Sequence, residues 1–244
     1  MTVAGLVAMT GSGGRRHAAP DGGGEVVGGQ SEVPEQHAGR RRFAEAVDAE
    51  DRRSRIVGGA GVLAPSVGGA RLDGDARAIA QVRVDAWRAT YRGMIPGTYL
   101  DGMSVDASET GWLRILSAPN RVAAVFVAED ESGVVGFASG HRLAEPKHGL
   151  DAELSAVYLV PTAQRAGTGT RLVAAVAQSL ARLGATGLIA WVIAANRRAR
   201  AFYEALGGEL LLEQPFQWDG MDLVEAGYGW RDLPALAVAG PVLQ

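Results

Sequence analysis

Residues 160–180, VPTAQRAGTGTRLVAAVAQSL, set Gly167 and Gly169 one residue apart, where an apolar run hands over to a helical period. Upstream, ELSAVYLV (153–160) reads as a strand stopped by Pro161. Downstream, Leu172, Val173, Val176, Leu180 and Leu183 fall on one helical face from about 168 to 183, and Gly184 ends it. Between them lie Gln164, Arg165, Ala166, Gly167, Thr168, Gly169 and Thr170. The amides of a helix's first turn have no partner inside the helix, and its dipole makes that end electropositive. Glycines admit a ligand close to those amides, two threonines add hydroxyl donors and Arg165 adds a cation. The pattern suits a pyrophosphate.

Outward from this turn the chain sorts into alternating elements. RVAAVFVAED (121–130) and GVVGFASGHRL (133–143) flank a short turn and predict a hairpin. GLIAWVIA (187–194) is a continuous apolar run, as a central strand covered on both faces requires. NRRARAFYEAL (196–206) predicts a helix capped by Asn196 and closed by Gly207. ELLLEQPFQW (209–218) and MDLVEAGYGW (221–230) predict two last strands. On the amino-terminal side, GVLAPSV (61–67) is a strand candidate, followed by a helix over 75–91 capped by Asp73 or Asp75, and a shorter helix over 104–118. Antiparallel strands, one crossover helix and a parallel strand make a mixed α/β sheet.

The chain has 244 residues, 47% of them apolar, enough for one domain with a buried core plus a tail. Residues 1–60 are glycine-rich without an apolar period, and eight acids balance eight bases over residues 1–56. Such a segment buries too little to offset the entropy of ordering and is expected to be disordered. The domain is expected over 61–232, with 233–244 as a short tail. A net charge of −3 gives no support for a nucleic-acid partner, and no apolar run is long enough to predict a membrane span. There are no cysteines, which excludes disulfides, thiolate metal sites and a cysteine nucleophile and suits a cytoplasmic setting. His17, His37, His141 and His148 lack ligand spacing and read as solvated. No metal is expected.

Two familiar phosphate loops do not fit the glycine turn. The P-loop needs a lysine that is absent, and the dinucleotide fingerprint needs a third glycine early in a parallel unit. QRAGTG, with AVYLVP before it and ANRRARAFYEALGG after it, resembles the signature of the Gcn5-related N-acetyltransferases (GNAT). DARAIAQVRVDAWRATYRGMIPGTYLDGMS is similar to the amino-terminal helices of bacterial members, so the resemblance spans about 61–232.

The resemblance implies a mainly antiparallel mixed sheet, its fourth and fifth strands splayed, flanked by helices. It implies acetyl-CoA as co-substrate and direct transfer to a primary amine of a small molecule or protein in a ternary complex. Backbone groups of Val157, Tyr158 and Leu159 would pair with the pantetheine arm. The amides from Arg165 through Thr170 would hold the pyrophosphate, and Asn196 would contact the cofactor near its thiol end. Asn196 reads equally as a plain helix cap. Tyr203 would protonate the leaving thiolate, a backbone amide near Val157 would take the oxyanion, and Trp87 and Tyr91 would wall the acceptor pocket. Trp87 reads equally as packing.

Glu153 is the candidate base. Strict alternation puts it on the face of Val157 and Leu159, ~13 Å from Val157 along the strand, a gap that needs water relay. Asp151 is an alternative, as is an amine that loses its proton unaided. One departure is Gly208, where members often carry an aromatic; that predicts a looser final hairpin. Family members often dimerise, so a homodimer is an option. A non-catalytic acyl-CoA-binding module of the same fold is the alternative function.

Overall fold

The structure, a computed structural model, describes residues 66–69, 72–118 and 123–238. The glycine-rich extension expected over 1–60 lies outside the described residues. Of the strand expected at 61–67, Ser66 and Val67 fall in β1 (Ser66–Gly69).

One seven-stranded sheet runs in the order β1-β2-β3-β4-β5-β7-β6. The predicted hairpin is β2 (Ala123–Asp130) and β3 (Gly133–Lys147), and β4 (Leu150–Leu159) continues it antiparallel. β5 (Leu188–Ile193) follows the crossover helix α4 (Thr168–Arg182) and pairs with β4 in parallel. β6 (Glu209–Trp218) and β7 (Met221–Trp230) close the other edge, with β7 antiparallel to β5.

Each face of the sheet carries an apolar layer. On one, Leu172, Val173, Val176 and Leu180 of α4 are fully buried against Ala138, Leu154, Val157 and Leu159. On the other lie α1 (Leu72–Tyr91), α2 (Gly97–Gly102) and α3 (Val105–Leu116), whose Ile79, Trp87, Tyr91 and Trp112 bury against Phe137, Ala156 and Tyr158. Ser104 caps α3 by accepting from the Ala107 amide at 3.3 Å. The helix α1 starts earlier than expected. Asp73 and Asp75 lie in its first turn rather than at its cap.

Two elements escape the sequence pattern because they are short. α2 follows Pro96 and is pinned by Arg88, which donates to the carbonyls of Leu100 at 3.0 Å and Met103 at 2.8 Å. Arg88→Ala should lower stability by about 1–3 kcal/mol, read as an earlier urea midpoint, because hydrogen bonds from a charged donor are lost. The second is α6 (Leu233–Val238), within the segment 233–244 expected as a tail. It sets Leu233 and Leu236 into the layer beneath α4.

The final hairpin is tied down. A Cβ on Gly208 would lie 2.7 Å from the Trp230 ring, so Trp230 fills the space an aromatic at 208 would take. Its Nε1 donates to the Leu206 carbonyl at 2.9 Å.

Candidate functional site

β4 and β5 pair over three residues only, Ala152 with Leu188, Glu153 with Ile189 and Leu154 with Ala190. Beyond Leu154 the two strands have no register partners in common, while β4 stays paired to β3 as far as Leu159. The parting coincides with a bulge. Ser139 faces Ala156 and Gly140 faces Leu154, so Ser155 is an extra residue in β4.

The bulge decides where each group points. The Val160 amide donates to Val135 of β3 at 2.9 Å. Alternation then turns the peptide groups of Tyr158 toward β3 and those of Val157 and Leu159 toward the opening beside β5. Gln164 Nε2 indeed donates to the Leu159 carbonyl at 3.1 Å. Of the three residues expected to present backbone groups, Val157 and Leu159 face the gap and Tyr158 does not. The same extra residue corrects the reading of Glu153. Leu154, Val157 and Leu159 lie on the α4 face, while Ala156 and Tyr158 lie on the α1 face. Glu153, next to Leu154, therefore shares the α1 face and not that of Val157. No periodicity in the sequence marks such a residue.

The opening runs to the start of α4. Its N-cap is Gly167, at φ 75°, and no side chain caps the first turn. Arg165 is also left-handed, at φ 65°, a conformation that costs a non-glycine residue about 1–2 kcal/mol and that clusters at functional turns. Arg165, Ala166 and Gly167 are exposed, and Thr168 is buried with its hydroxyl unpartnered. The two glycines differ in purpose. A Cβ at Gly167 would meet nothing within 4 Å, so its role is the turn and an open approach. One at Gly169 would sit 3.3 Å from both Leu159 and Phe202, so Gly169 lets α4 close onto its neighbours. Arg198 donates to Gln164 Oε1 at 3.1 Å and steadies the loop from the next helix, α5 (Arg197–Ala205).

At the other end of the opening the two faces meet. Asn196 caps α5, its Oδ1 accepting from the Ala199 amide at 3.1 Å, while its Nδ2 is buried near the Tyr91 hydroxyl. The Tyr91 hydroxyl, from the α1 layer, is buried beside Asn196 and Tyr158, and the Tyr203 hydroxyl, from the α4 layer, is buried and unpartnered. Tyr203 bears on the ionisation of Tyr91, and Tyr158 bears on that of both, although Tyr203 lies in the opposite layer. Burial first, then Tyr158, pushes the Tyr203 phenol far above its ordinary range, so it keeps its proton. Burial also pushes Tyr158 up, to about 12. Of these groups, the Tyr203 hydroxyl is thus the buried one with no side-chain partner, a costly arrangement that points to a partner supplied from outside the fold.

Trp87 and Tyr91 are fully buried, so neither forms an open pocket wall. Trp87 Nε1 donates to the Tyr158 hydroxyl at 2.7 Å, and its ring packs on Tyr91 and Trp218. A cavity of about 400 Å³ lies instead among Met94, Ile193, Ala195, Pro215, Asp222, Leu223 and Val224. These residues come from four separate segments, so no local motif foretells them. His141, expected to be solvated, is half-buried: its Nδ1 lies 2.8 Å from Ser155 Oγ. Asp151, the alternative base, accepts from the Thr186 and Gly187 amides at 2.9 and 3.0 Å, which ties the β4 start to β5. Among the described residues no helix is long and apolar enough to cross a membrane.

A sequence profile of the acetyltransferase (GNAT) family matches residues 79–208. The uncharacterised N-acetyltransferase YuaI of Bacillus subtilis is 39% identical over 163 residues, covering 66% of this chain and 91% of that protein. Among solved structures, the PaiA N-acetyltransferase of Thermoplasma acidophilum in complex with coenzyme A is 20% identical, covers 66% of this chain and 96% of its own, and superposes with a TM-score of 0.51. YncA of Salmonella typhimurium, with acetyl-CoA, is 20% identical over 68% and 92% of the two chains, with a TM-score of 0.51. The chain belongs to the GNAT acetyltransferase family and is an acyltransferase of that class.

Proposed function

We propose that the protein transfers the acetyl group of acetyl-CoA directly to a primary amine of a small molecule or peptide, both bound at once. The observation that carries this is the opening between β4 and β5, which presents the peptide groups of Val157 and Leu159 and ends at an uncapped helix start. That shape and donor set fit an amide-bearing arm with a diphosphate at one end. The two solved relatives bound to coenzyme A or acetyl-CoA share the fold and support the choice of ligand.

When bound, the thioester supplies an activated acetyl group. The amides from Arg165 through Thr170, with the Arg165 guanidinium, hold the diphosphate. The Val157 and Leu159 peptide groups orient the arm as an added strand would. The Val157 amide, facing the opening, donates to the carbonyl oxygen as it gains charge. Tyr203, which keeps its proton, gives it to the departing sulfur, and Asn196 Nδ2 donates beside it. The acceptor enters from the 400 Å³ cavity, on the α1 side where Glu153 also lies. Glu153 is the carboxylate on that face toward which the proton of the amine leaves, directly or through a neighbouring group. A chain with no cysteine to carry an acetyl group fits direct transfer, and it suits a reducing cytoplasm.

The test is release of free thiol from acetyl-CoA across a panel of primary amines, with mass spectrometry of the products. At least one amine should gain 42 Da, the mass of an acetyl group replacing hydrogen. Binding of acetyl-CoA with no thiol release from any amine would favour the non-catalytic module.

A further inference from the structure

His141 stands directly opposite Glu153 in the β3–β4 ladder. A Cβ on its neighbour Gly140 would meet Val176 and Leu180 of α4, so alternation turns His141 to the α1 face, the face of Glu153. Its ring is held at Ser155, the bulge residue from which β4 leaves β5. Ser155 lies two residues from Val157, roughly 7 Å along the strand, against ~13 Å for Glu153. The imidazole therefore reaches from the level of Glu153 to Ser155, a step nearer the reacting end of the opening. The imidazole thereby shortens the spacing that left Glu153 dependent on relaying water.

We propose that His141 accepts the proton of the incoming ammonium, with Glu153 across the ladder as its charge partner and Ser155 as its anchor; this rests on the acyl-CoA reading above. In the working tautomer Nδ1–H donates to Ser155 Oγ, and the lone pair of Nε2 takes the proton. One N–H bond breaks on the ammonium, its electron pair stays on the amine nitrogen, and one N–H bond forms at Nε2. The proton passes to solvent after turnover. Burial lowers the His141 pKa first, Glu153 opposes that and Lys147 on its own strand adds to it. The ring is thus neutral near pH 7 and able to accept. From β2 the ladder partner is Ala123, which carries no charge. From β7, Glu225 feels Glu153 and Lys147, and burial first, then Glu153, works to raise its pKa. An entering cation relieves the repulsion between these two carboxylates.

The test uses the full chain saturated with coenzyme A, and n-butylamine as the probe. NMR of labelled histidine should show His141 titrating below the ordinary imidazole value, and lower still in Glu153→Gln. Butylammonium should displace that titration. With acetyl-CoA and butylamine, His141→Gln should lower kcat/KM about 10²-fold or more and flatten its rise with pH, while leaving the coenzyme A Kd within about threefold. An unmoved His141 titration overturns the assignment, as does a pH profile that survives in His141→Gln and vanishes only in Glu153→Gln. Failure of the wild-type chain to bind coenzyme A, read separately by calorimetry, overturns the acyl-CoA reading instead.

Discussion

Tyr203→Phe should lower kcat by about 10²- to 10⁴-fold while leaving acetyl-CoA binding within a few-fold and thermal stability unchanged or raised. The two halves of this result come from one observation. The hydroxyl is fully buried and has no hydrogen-bond partner in the fold, so deleting it removes no internal bond. A buried hydroxyl left unpaired costs about 1–3 kcal/mol, so the phenylalanine variant sheds a cost. The ring still packs at 5.6–5.8 Å from Phe202, Tyr228 and Trp230. Activity falls because the proton for the departing sulfur is gone. Stopped turnover with a melting temperature at or above wild type marks a group kept for chemistry. A drop in melting temperature with normal turnover would mark Tyr203 as packing alone.

Trp87→Ala carries the largest expected loss of stability, about 3–5 kcal/mol, with the melting temperature falling on the order of 10 °C. Trp87 is fully buried where three parts of the chain meet: its ring lies 4.8 Å from Tyr91 of α1, 6.5 Å from Tyr158 of β4 and 5.3 Å from Trp218 at the tip of the β6–β7 hairpin. Its Nε1 donates to the Tyr158 hydroxyl, so truncation leaves a cavity and takes away a donor together. Tyr99 of α2 also packs on Trp218, at 4.7 Å, so the hairpin tip should loosen from the helices. Trp87→Phe should recover about half of the loss by refilling volume without the donor. A loss under 1 kcal/mol in a urea titration of Trp87→Ala would show that the three parts are held together elsewhere.

What could be read in the sequence was what neighbours in sequence decide. The stripe of α4, the cap at Asn196, the β2–β3 hairpin and the glycine turn before α4 all follow from residues within a few positions of one another. The bulge at Ser155 follows from the pairing of β4 with β3, and its effect is to flip Glu153 away from Val157. His141 read as solvated because burial of a strand residue depends on the strand beside it. Gly208 read as a gap because the ring that fills it, Trp230, lies more than twenty positions away. The cavity lined by Met94, Ile193, Pro215 and Leu223 is assembled wholly from distant segments. The glycine turn, a local feature, was thus legible, and the cavity was not.

The claim under all of this is that the opening between β4 and β5, ending at α4, holds an acyl-CoA. Isothermal titration of the full chain with acetyl-CoA tests it without needing an acceptor. Saturable binding is expected near one ligand per chain, with Kd on the order of 1–100 μM, weakened at least tenfold when Gly167→Val strains the left-handed turn. Absence of saturable heat with millimolar acetyl-CoA, in a chain that melts cooperatively, would contradict it.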